Sequence, residues 1–334
     1  MVPVLNRPFL AWQLALLREH GVTDVVLACS YRVDDVRSAL GEAEHLGVRL
    51  RYVIEAEPLG TGGGVRNAAD LASGTVFVLN GDVLSDVDLS AMRAFHEARG
   101  SRTTIYLTRV ADPRQYGLVE TSPDGRLRRF REKPGADEVL ATNTINAGVY
   151  LIDAGLLSRI PAGRTVSIER EFFPALIADG TPAYGWVSDA YWRDIGSPLA
   201  YRAAQMDLLM GKARMPLAPP GDARDQSWVE PDAHVATGAV LLAPVVVGAG
   251  VTVHGDARIG PLAVIGERCR IGEGARVEAA VLWERVDVGA RSTLRECVIG
   301  ADVHIGADVE IGPGVILESG AVIPDHTKLS AERG

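Results

Sequence analysis

Lysine and cysteine are scarce in this chain, and an excess of positive charge is absent. Only Lys133, Lys212 and Lys328 are lysines among the 34 basic residues, which suggests that a lysine inside a motif is used for its compact ammonium group. The formal net charge is −9, which argues against a surface for nucleic acid, because such a surface would need a basic stripe. An anionic small substrate would therefore need local positive charge or a bound metal ion.

The cysteines, Cys29, Cys269 and Cys297, are odd in number and far apart, and no Cys-X-X-Cys motif is present. We interpret them as reduced thiols of a cytoplasmic protein rather than as a disulfide framework. The N-terminus lacks the basic and then apolar profile of a signal peptide. One charge-free stretch, residues 235–253, is long enough for a membrane span. However, Pro244 interrupts it and its apolar residues recur at every sixth position, so we expect no membrane segment.

The segment at residues 76–82 combines a predicted strand with a carboxylate at its end. Residues 76–79 form an apolar run typical of a buried strand in a parallel sheet, and Asn80 and Gly81 then turn the chain. Asp82 would lie just beyond the carboxyl end of this strand, where ligands bind in open α/β sheets. A carboxylate there suits a hard cation such as Mg²⁺, and through it a phosphate. The alternative is a turn with a capping aspartate.

Strand and helix patterns alternate through the first half of the chain. Strands are predicted at residues 25–29, 50–54 and 103–108, and a glycine-rich loop at residues 59–64 opens one of the helices between them. Further along, residues 116–132 are typical of a hairpin. This order predicts an α/β fold with a Rossmann-like, largely parallel sheet.

Beyond a linker rich in proline, alanine and glycine, the hydrophobic period changes to six residues. Apolar residues recur at every sixth position from 229 to 277 and again from 299 to 323, and small or branched residues follow four positions later. This period is typical of a parallel β-helix with three short sides per coil, here about five coils. We expect residues 282–291 to bulge out as a loop, and Cys269 and Cys297 to pack inward.

A set of short motifs runs in one order along the whole chain. The motifs are Leu59-Gly60-Thr61-Gly62-Gly63, Asn80-Gly81-Asp82, Glu132-Lys133-Pro134, Asn143-Thr144-Ile145-Asn146-Ala147-Gly148, Ser167-Ile168-Glu169-Arg170-Glu171 and Trp192-Arg193-Asp194-Ile195-Gly196. Each motif alone is weak, but together they resemble the nucleotide-sugar pyrophosphorylases, most closely the mannose-1-phosphate guanylyltransferases with a left-handed β-helix tail. The resemblance implies a nucleotidyltransferase domain at residues 1–212, a linker at 213–227 and a left-handed β-helix at 228–326.

The resemblance also implies an activity and a set of site residues. The reaction would transfer a nucleotidyl group from a nucleoside triphosphate to a sugar 1-phosphate, with GTP and mannose 1-phosphate as the leading pair. Asp82 and Asp194 would hold Mg²⁺, and Lys133 would meet the sugar phosphate. The other implied substrate-binding residues are Gly60, Thr61 and Gly62 at the base, Asn80 and Gly81 in the turn, and Glu132, Asn146, Gly148 and Glu169 around the sugar.

The start of the chain departs from the family pattern. Met1 stands where the family reads Pro-Met-Val-Pro, so the family's first strand and its glycine-rich phosphate loop are not found. We expect a gap beside the strand at residues 25–29, with backbone groups left without partners. A start codon assigned too late would explain this, and so would a truncated paralogue that binds or regulates without catalysis.

Other assignments stay open at this stage. The substrate pair could be dTTP or UTP with glucose 1-phosphate, or the chain could be a catalytically silent regulatory subunit. A β-helix acyltransferase is a further alternative, because His234, His254 and His304 lie on or near the predicted faces. Surface positions are the simpler interpretation of these histidines, and we expect the β-helix to serve homo-oligomer assembly or regulation.

Overall fold

The computed structural model describes residues 2–30, 32–135 and 140–331. The chain forms two compact units, one of Met1–Trp12 with Arg193–Gly334 and the other of Gln13–Trp192. The helices are α1 (Phe9–Glu19), α2 (Val33–Leu40), α3 (Gly60–Asn67), α4 (Leu89–Ala98), α5 (Ala154–Leu157), α6 (Phe173–Ala178) and α7 (Pro198–Leu209), with short 3₁₀ turns at Glu44–Leu46, Ala69–Leu71 and Pro113–Gln115 and a π-helical turn at Ile168–Phe172. In the part of the chain that is described, no helix is both long and apolar enough to cross a bilayer.

Most strands before the repeat region are longer than those within it. They are β1 (Pro3–Val4), β2 (Arg7–Pro8), β3 (Asp24–Cys29), β4 (Arg49–Ile54), β5 (Thr75–Leu79), β6 (Val83–Ser85), β7 (Thr103–Arg109), β8 (Gly117–Thr121), β9 (Leu127–Glu132), β10 (Thr144–Asp153), β11 (Ala183–Val187) and β12 (Trp192–Asp194). The predicted hairpin is confirmed, because β8 and β9 pair antiparallel.

The unit of residues 13–192 is built on a six-stranded sheet with β10 at its centre. The order is β11-β7-β10-β8-β9, and β5 also pairs with β10. The α/β class is confirmed, but the prediction of a largely parallel sheet is wrong. In the described part of this sheet, β10 runs antiparallel to β5, β7 and β8, and only β7 and β11 pair in parallel. Apolar runs show where strands lie. They do not show strand direction, because a strand buried on both faces looks the same in either sense.

Strands β3 and β5 each have a partner on one side. Within the described ranges, β3 pairs with β4 in a separate two-stranded parallel sheet, and β5 pairs with β10. As expected for residues 25–29, no described strand pairs with the other edge of β3. The apolar residues 76–79 are half-buried rather than fully buried as predicted, since one edge of β5 carries no described strand.

Helices cover both faces of the central sheet. One cluster joins residues of β7 and β10 to Phe172, Phe173 and Leu176 of the π-turn and α6. The other joins Tyr106 and Leu151 to residues of α1 and α4. The helix α4 begins where it does because the side chain of Asp88 accepts a hydrogen bond from the N–H of Ala91, which satisfies a donor that the first turn leaves free.

The repeat region folds into a parallel β-helix, as predicted. Strands β13 to β31 are Asp222–Arg224, Ser227–Val229, His234–Val235, Val240–Leu241, Val245–Val247, Thr252–Val253, Arg258–Ile259, Ala263–Ile265, Arg270–Ile271, Arg276–Glu278, Val281–Leu282, Asp287–Val288, Thr293–Arg295, Val298–Ile299, His304–Ile305, Glu310–Ile311, Ile316–Leu317, Val322–Ile323 and Lys328–Leu329. They form three sheets, two of six strands and one of seven in which β13 pairs antiparallel at the edge. The region therefore has six coils, not the five predicted.

The expected bulge at residues 282–291 is also wrong. Leu282 pairs with Ile265 and Ile299, and Val288 pairs with Ile271, so the coil continues in register. One side in each of two successive coils is one residue shorter than the repeat, at residues 277–282 and 294–299. The apolar positions therefore shift along the sequence but still face the inside of the coil. Cys269 and Cys297 pack inward as expected, and burial raises the pKa of each thiol to about 12.

One face of the β-helix is covered by other parts of its own unit. Its outward-facing side chains are apolar yet buried: Val246, Val264, Val281 and Val298. The helix α7 packs there, and Asn6 from the N-terminal segment donates a hydrogen bond of 2.7 Å to the carbonyl of Ile265. The β-helix thus serves as a platform for α7.

Candidate active site

The glycine-rich loop lies against the chain segment that precedes the π-helical turn. Gly60 has a φ of +73°, and a Cβ there would lie 2.8 Å from the carbonyl oxygen of Val166. The N–H of Gly62 donates to this same oxygen at 2.9 Å. Side chains at these positions would push the two segments apart, so glycine is required for the close approach.

The carboxylate of Glu169 connects these two segments. Its Oε2 accepts hydrogen bonds from the hydroxyls of Thr61 and Ser167, both at 2.8 Å, and its Oε1 accepts from the phenol of Tyr150 at 3.4 Å. Thr61 also accepts a hydrogen bond of 3.0 Å from the N–H of Ile168. Glu169 is therefore a polar centre shared by the loop and β10.

The middle of β10 forms the next part of the site. The register between β10 and β7 shifts between Asn146 and Tyr150, and this bulge turns polar groups out of the ladder. Asn146 donates to the phenol of Tyr150 at 2.8 Å and accepts from the N–H of Gly148 at 3.0 Å. The N–H of Asn80 donates to the carbonyl of Gly148 at 2.8 Å, which ties the turn after β5 to the bulge.

Gly148 must be glycine for two reasons. Its φ is +74°, a conformation that residues with a Cβ rarely adopt. A Cβ at this position would lie 2.9 Å from the side-chain nitrogen of Asn80. The structure thus identifies the neighbour that a side chain at Gly148 would meet.

Glu132 and Lys133 lie at the end of β9. Burial raises the pKa of Glu132, and the nearby carboxylate of Glu169 raises it further, while Lys133 and Arg170 act in the opposite direction. Lys133 is exposed and has a φ of +46°, and its backbone N–H donates to the carbonyl of Tyr116 at 3.1 Å. Two carboxylates and one ammonium group thus lie within the range of mutual electrostatic influence.

The structure brings together most of the residues predicted for the sugar and the loop. Hydrogen bonds link one to the next in this order: Thr61, Glu169, Tyr150, Asn146, Gly148 and Asn80. Glu132 lies within electrostatic range of Glu169. Tyr150 is the residue that sequence reasoning missed, because it lies within an apolar strand and looks like a core aromatic. Its full burial, together with Glu169, raises its pKa well above the usual value, so it stays a neutral donor.

Gln13 is a second residue that the sequence did not reveal. Its side-chain amide donates to the carbonyls of Asn80, at 2.8 Å, and Val83, at 3.0 Å. These bonds hold the turn that carries Gly81 and Asp82, both of which are exposed between β5 and β6. A glutamine among the apolar residues of α1 is the signal that could have indicated such a role.

Asp194, at the end of β12, is half-buried and belongs to the other compact unit. Its Oδ1 accepts a hydrogen bond of 2.6 Å from the N–H of Gly196. In residues 2–30, 32–135 and 140–331, no group of three or more His, Cys, Asp or Glu side chains could hold a metal ion. A carboxylate oxygen, such as the one that Asp194 offers, is a donor of the kind that a hard divalent ion takes, with water and phosphate completing its shell.

Comparison with known proteins identifies both halves of the chain. The model of a family described as nucleotidyl transferase matches residues 1–211, and that of the LbH domain of EIF2B subunit epsilon matches residues 224–329. The latter match agrees with the predicted left-handed β-helix.

The relatives include the mannose-1-phosphate guanylyltransferase of Mycobacterium tuberculosis, 38% identical over 287 residues, which cover 85% of this chain and 77% of that one. Probable mannose-1-phosphate guanylyltransferase 1 of Oryza sativa subsp. japonica is 34% identical over 315 residues, covering 90% of this chain and 84% of that one.

Solved structures also resemble this chain, over 62% of its length. HddC from Yersinia pseudotuberculosis is 27% identical, covers 62% of this chain and 88% of its own, and has a TM-score of 0.54. The same protein complexed with GMP-PN has a TM-score of 0.53 at 26% identity. Enzymes of this kind generally use a divalent metal. The chain belongs to the nucleotidyl transferase family, and the resemblance inferred from its motifs is confirmed.

Proposed function

We propose that the chain transfers the guanylyl group of GTP to mannose 1-phosphate, which yields GDP-mannose and pyrophosphate. The observation that carries this proposal is the environment of Glu169, which accepts a hydrogen bond from Thr61 of the glycine-rich loop and lies near a second carboxylate, Glu132. A nucleotide held by the loop and a sugar held by the carboxylates would meet there. The bacterial and plant guanylyltransferases and the GMP-PN complex of HddC support this particular substrate pair.

The sugar phosphate is bound by groups from β9, β10 and the π-helical turn. Glu132 and Glu169 accept hydrogen bonds from sugar hydroxyls, and Asn146 and the backbone of Gly148 line the other side. Lys133 supplies the compact positive charge that meets the phosphate. The rarity of lysine in this chain supports that role.

The nucleotide lies on the glycine-rich loop and on the turn after β5. Gly60 and Thr61 approach the base through backbone groups, and Asn80 and Gly81 border it. The N–H of Gly62 already donates to Val166, so its contribution is to keep the loop against residues 164–168. Glycine at these positions lets a ligand come close to the backbone.

The chemical step is an in-line displacement at the α-phosphorus of GTP. A phosphate oxygen of the sugar phosphate forms the new bond as the bond from that phosphorus to the β-phosphate oxygen breaks, and pyrophosphate leaves. Such a reaction needs alignment and charge neutralisation more than proton transfer. The protein residues therefore act mainly by holding two anions in line.

We infer that the divalent metal is Mg²⁺ and that Asp82 and Asp194 are its protein ligands. Mg²⁺ commonly takes one or two carboxylates and keeps water and substrate phosphates as its other ligands. When bound, it neutralises phosphate charge that develops during transfer. Because the N–H of Gly196 donates to one oxygen of Asp194, the direction of the other oxygen is fixed.

The proposal is tested by pyrophosphate release from GTP, dTTP and UTP, each with mannose 1-phosphate or glucose 1-phosphate. We expect the largest kcat/KM for GTP with mannose 1-phosphate, no release without a sugar phosphate, and loss of release on chelation that Mg²⁺ reverses. Asp82→Asn and Asp194→Asn should each lower kcat/KM by more than the roughly 10- to 100-fold that is typical of residues supporting metal ligands. Preference for dTTP or UTP, or transfer without metal, would refute the assignment.

We further propose that the protein works in the cytoplasm as a homo-oligomer formed through the β-helix. Each of the three cysteines is free, which suits a reducing compartment. The first coil exposes Val235, Val240 and Leu242, an apolar surface of the kind that association buries. Sedimentation of the wild type and of Val240→Ser would test this, and a monomer at all concentrations would contradict it.

A further inference from the structure

Asp207, in the last turn of α7, is a buried carboxylate that accepts hydrogen bonds from two cations. Its side chain is only 8% exposed. Its Oδ2 accepts from Nε and Nη2 of Arg193, at 3.1 and 2.7 Å, and its Oδ1 accepts from Nζ of Lys212 at 2.9 Å. Hydrogen bonds between charged groups are the strong ones, and two of them on a planar guanidinium fix its orientation.

Arg193 directly precedes Asp194 in β12. Side chains of successive strand residues point to opposite faces, so an Arg193 side chain held on one side sets the direction of Asp194 on the other. The N–H of Gly196 then fixes the rotation of the Asp194 carboxylate. Arg193 therefore fixes the backbone at Asp194, and the hydrogen bond from Gly196 fixes the Asp194 carboxylate.

The helix that carries Asp207 is itself anchored to the β-helix. Arg202 donates to the carbonyl of Ala279 at 2.8 Å, and the indole N–H of Trp283 donates to the phenol of Tyr201 at 3.1 Å. Ser197 caps the start of α7 by accepting a hydrogen bond from the N–H of Ala200. With its N-terminal half fixed in this way, α7 holds Asp207 on a rigid support.

We propose that Asp207 is a positioning residue for Asp194. Through Arg193 it holds the Asp194 carboxylate in the direction in which it binds the divalent ion. This inference rests on the proposed function, which assigns Asp194 to the metal. Residues that orient metal ligands without touching the metal commonly matter for metal affinity.

Two substitutions separate this role from a contribution to stability. Asp207→Asn keeps the shape of the side chain but removes the charge that pairs with Arg193. Lys212→Gln removes the second cation and leaves the Arg193 pair in place. We expect Asp207→Asn to raise the half-saturating Mg²⁺ concentration about 10- to 100-fold, with KM for mannose 1-phosphate at saturating Mg²⁺ unchanged. Lys212→Gln should leave both values as in the wild type.

A binding measurement on the full chain gives a readout that does not need turnover. Water-proton relaxation reports the affinity for the complex of Mn²⁺ with GTP when no sugar phosphate is present. Asp207→Asn should weaken this affinity by the same factor as the Mg²⁺ requirement and leave the affinity for metal-free GTP unchanged. Lys212→Gln should bind as the wild type does.

Thermal melting of each variant shows whether it is folded. If Asp207→Asn does not fold, Arg193→Gln removes the same ion pair from its more exposed side and takes its place in both measurements. A folded variant without the Arg193–Asp207 pair that binds Mn²⁺ and GTP as tightly as the wild type overturns the proposal. If the wild type binds Mn²⁺ and GTP but transfers to no sugar phosphate, the proposed function fails while the positioning role is still decided by the binding data.

Discussion

The hydroxyl of Thr61 donates a hydrogen bond of 2.8 Å to Glu169 and accepts one of 3.0 Å from the N–H of Ile168. A single side chain thus connects the glycine-rich loop to the segment that carries an acid of the proposed sugar site. Because both bonds join segments that are distant in sequence, they link the placement of the nucleotide loop to that of Glu169.

Thr61→Val should disturb this link at nearly constant volume. The substitution leaves the N–H of the buried Ile168 without its partner, which costs about 1–3 kcal/mol in the free energy of unfolding. It also removes the hydrogen bond that ties Glu169 to the glycine-rich loop, so we expect KM to rise for both substrates. Steady-state kinetics and thermal melting check this.

Thr165→Val is the matched control for Thr61→Val. Its hydroxyl donates to the carbonyl of Pro58 at 3.3 Å in the same region and is exposed. It should leave both KM values unchanged. Equal effects of the two substitutions would mean that the link between Thr61 and Glu169 has no special role.

Gly148→Ala tests the contact between β10 and the turn after β5. The φ of +74° alone costs about 1–2 kcal/mol for a residue with a Cβ. The new Cβ would also lie 2.9 Å from the Asn80 side chain and push the turn away. We expect lower stability and a loss of activity, measured by thermal melting and kcat/KM.

Gly163→Ala separates the two causes of that loss. Gly163 has a φ of +70°, but a Cβ there would have nothing within 4 Å. This variant should lose stability through backbone strain and keep its activity. Activity retained in Gly148→Ala as well would show that the position of Asn80 does not matter.

The raised pKa of Glu132 predicts a stability that depends on pH. A carboxyl group whose pKa is higher in the folded state contributes stability below pH 4.5, its ordinary pKa. This contribution is lost as the pH rises through the pKa of the folded state. Glu132→Gln should therefore melt at a higher temperature than the wild type at neutral pH, with a smaller difference near pH 4.5. It should also lose affinity for the sugar phosphate.

Glu120→Gln, on the neighbouring strand β8, controls for loss of a negative charge from this region. A Glu132→Gln variant that is no more stable than the wild type at pH 7 would contradict the assigned burial of this carboxyl group. If Glu132→Gln is more stable but less active than the wild type, it shows the trade-off between stability and activity that is expected at a functional site.

Ser292→Ala tests the β-helix. Ser292 is fully buried, and its hydroxyl donates to the carbonyl of Gly306 at 2.8 Å and accepts from the N–H of Val309 at 2.9 Å. Alanine leaves both groups unpaired, which costs about 1–3 kcal/mol. The neighbouring Arg291→Gln breaks an exposed pair with Asp308 and should cost at most about 1 kcal/mol. Denaturant titration compares them, and equal costs would contradict the role of Ser292.

The β-helix was predictable because each coil returns the chain to the same three faces. The six-residue period in the sequence therefore corresponds directly to one side of the coil. The errors arose where the coil shortens near Leu282 and Leu294, since a fixed period of six cannot follow a shorter side. The direction of β10 was not predictable, because pairing depends on the path of the chain between strands rather than on the residues within them.

The site was predictable where short motifs carry it, as at Thr61, Glu132 and Glu169. Tyr150 and Gln13 escaped because each lies in an apolar pattern that is typical of core residues, and their polar ends matter only once the fold supplies a partner. Asp207 escaped for the same reason. Its importance comes from its ion pair with Arg193, a residue of β12 that is not its neighbour in sequence.

The central claim is tested most directly by following the α-phosphate of GTP. With GTP labelled at that phosphate, the account predicts that the label moves into GDP-mannose only when both mannose 1-phosphate and a divalent metal are present, and that Asp194→Asn abolishes the transfer. Label that leaves as free GMP, or that moves into product without the sugar phosphate or the metal, would contradict the account.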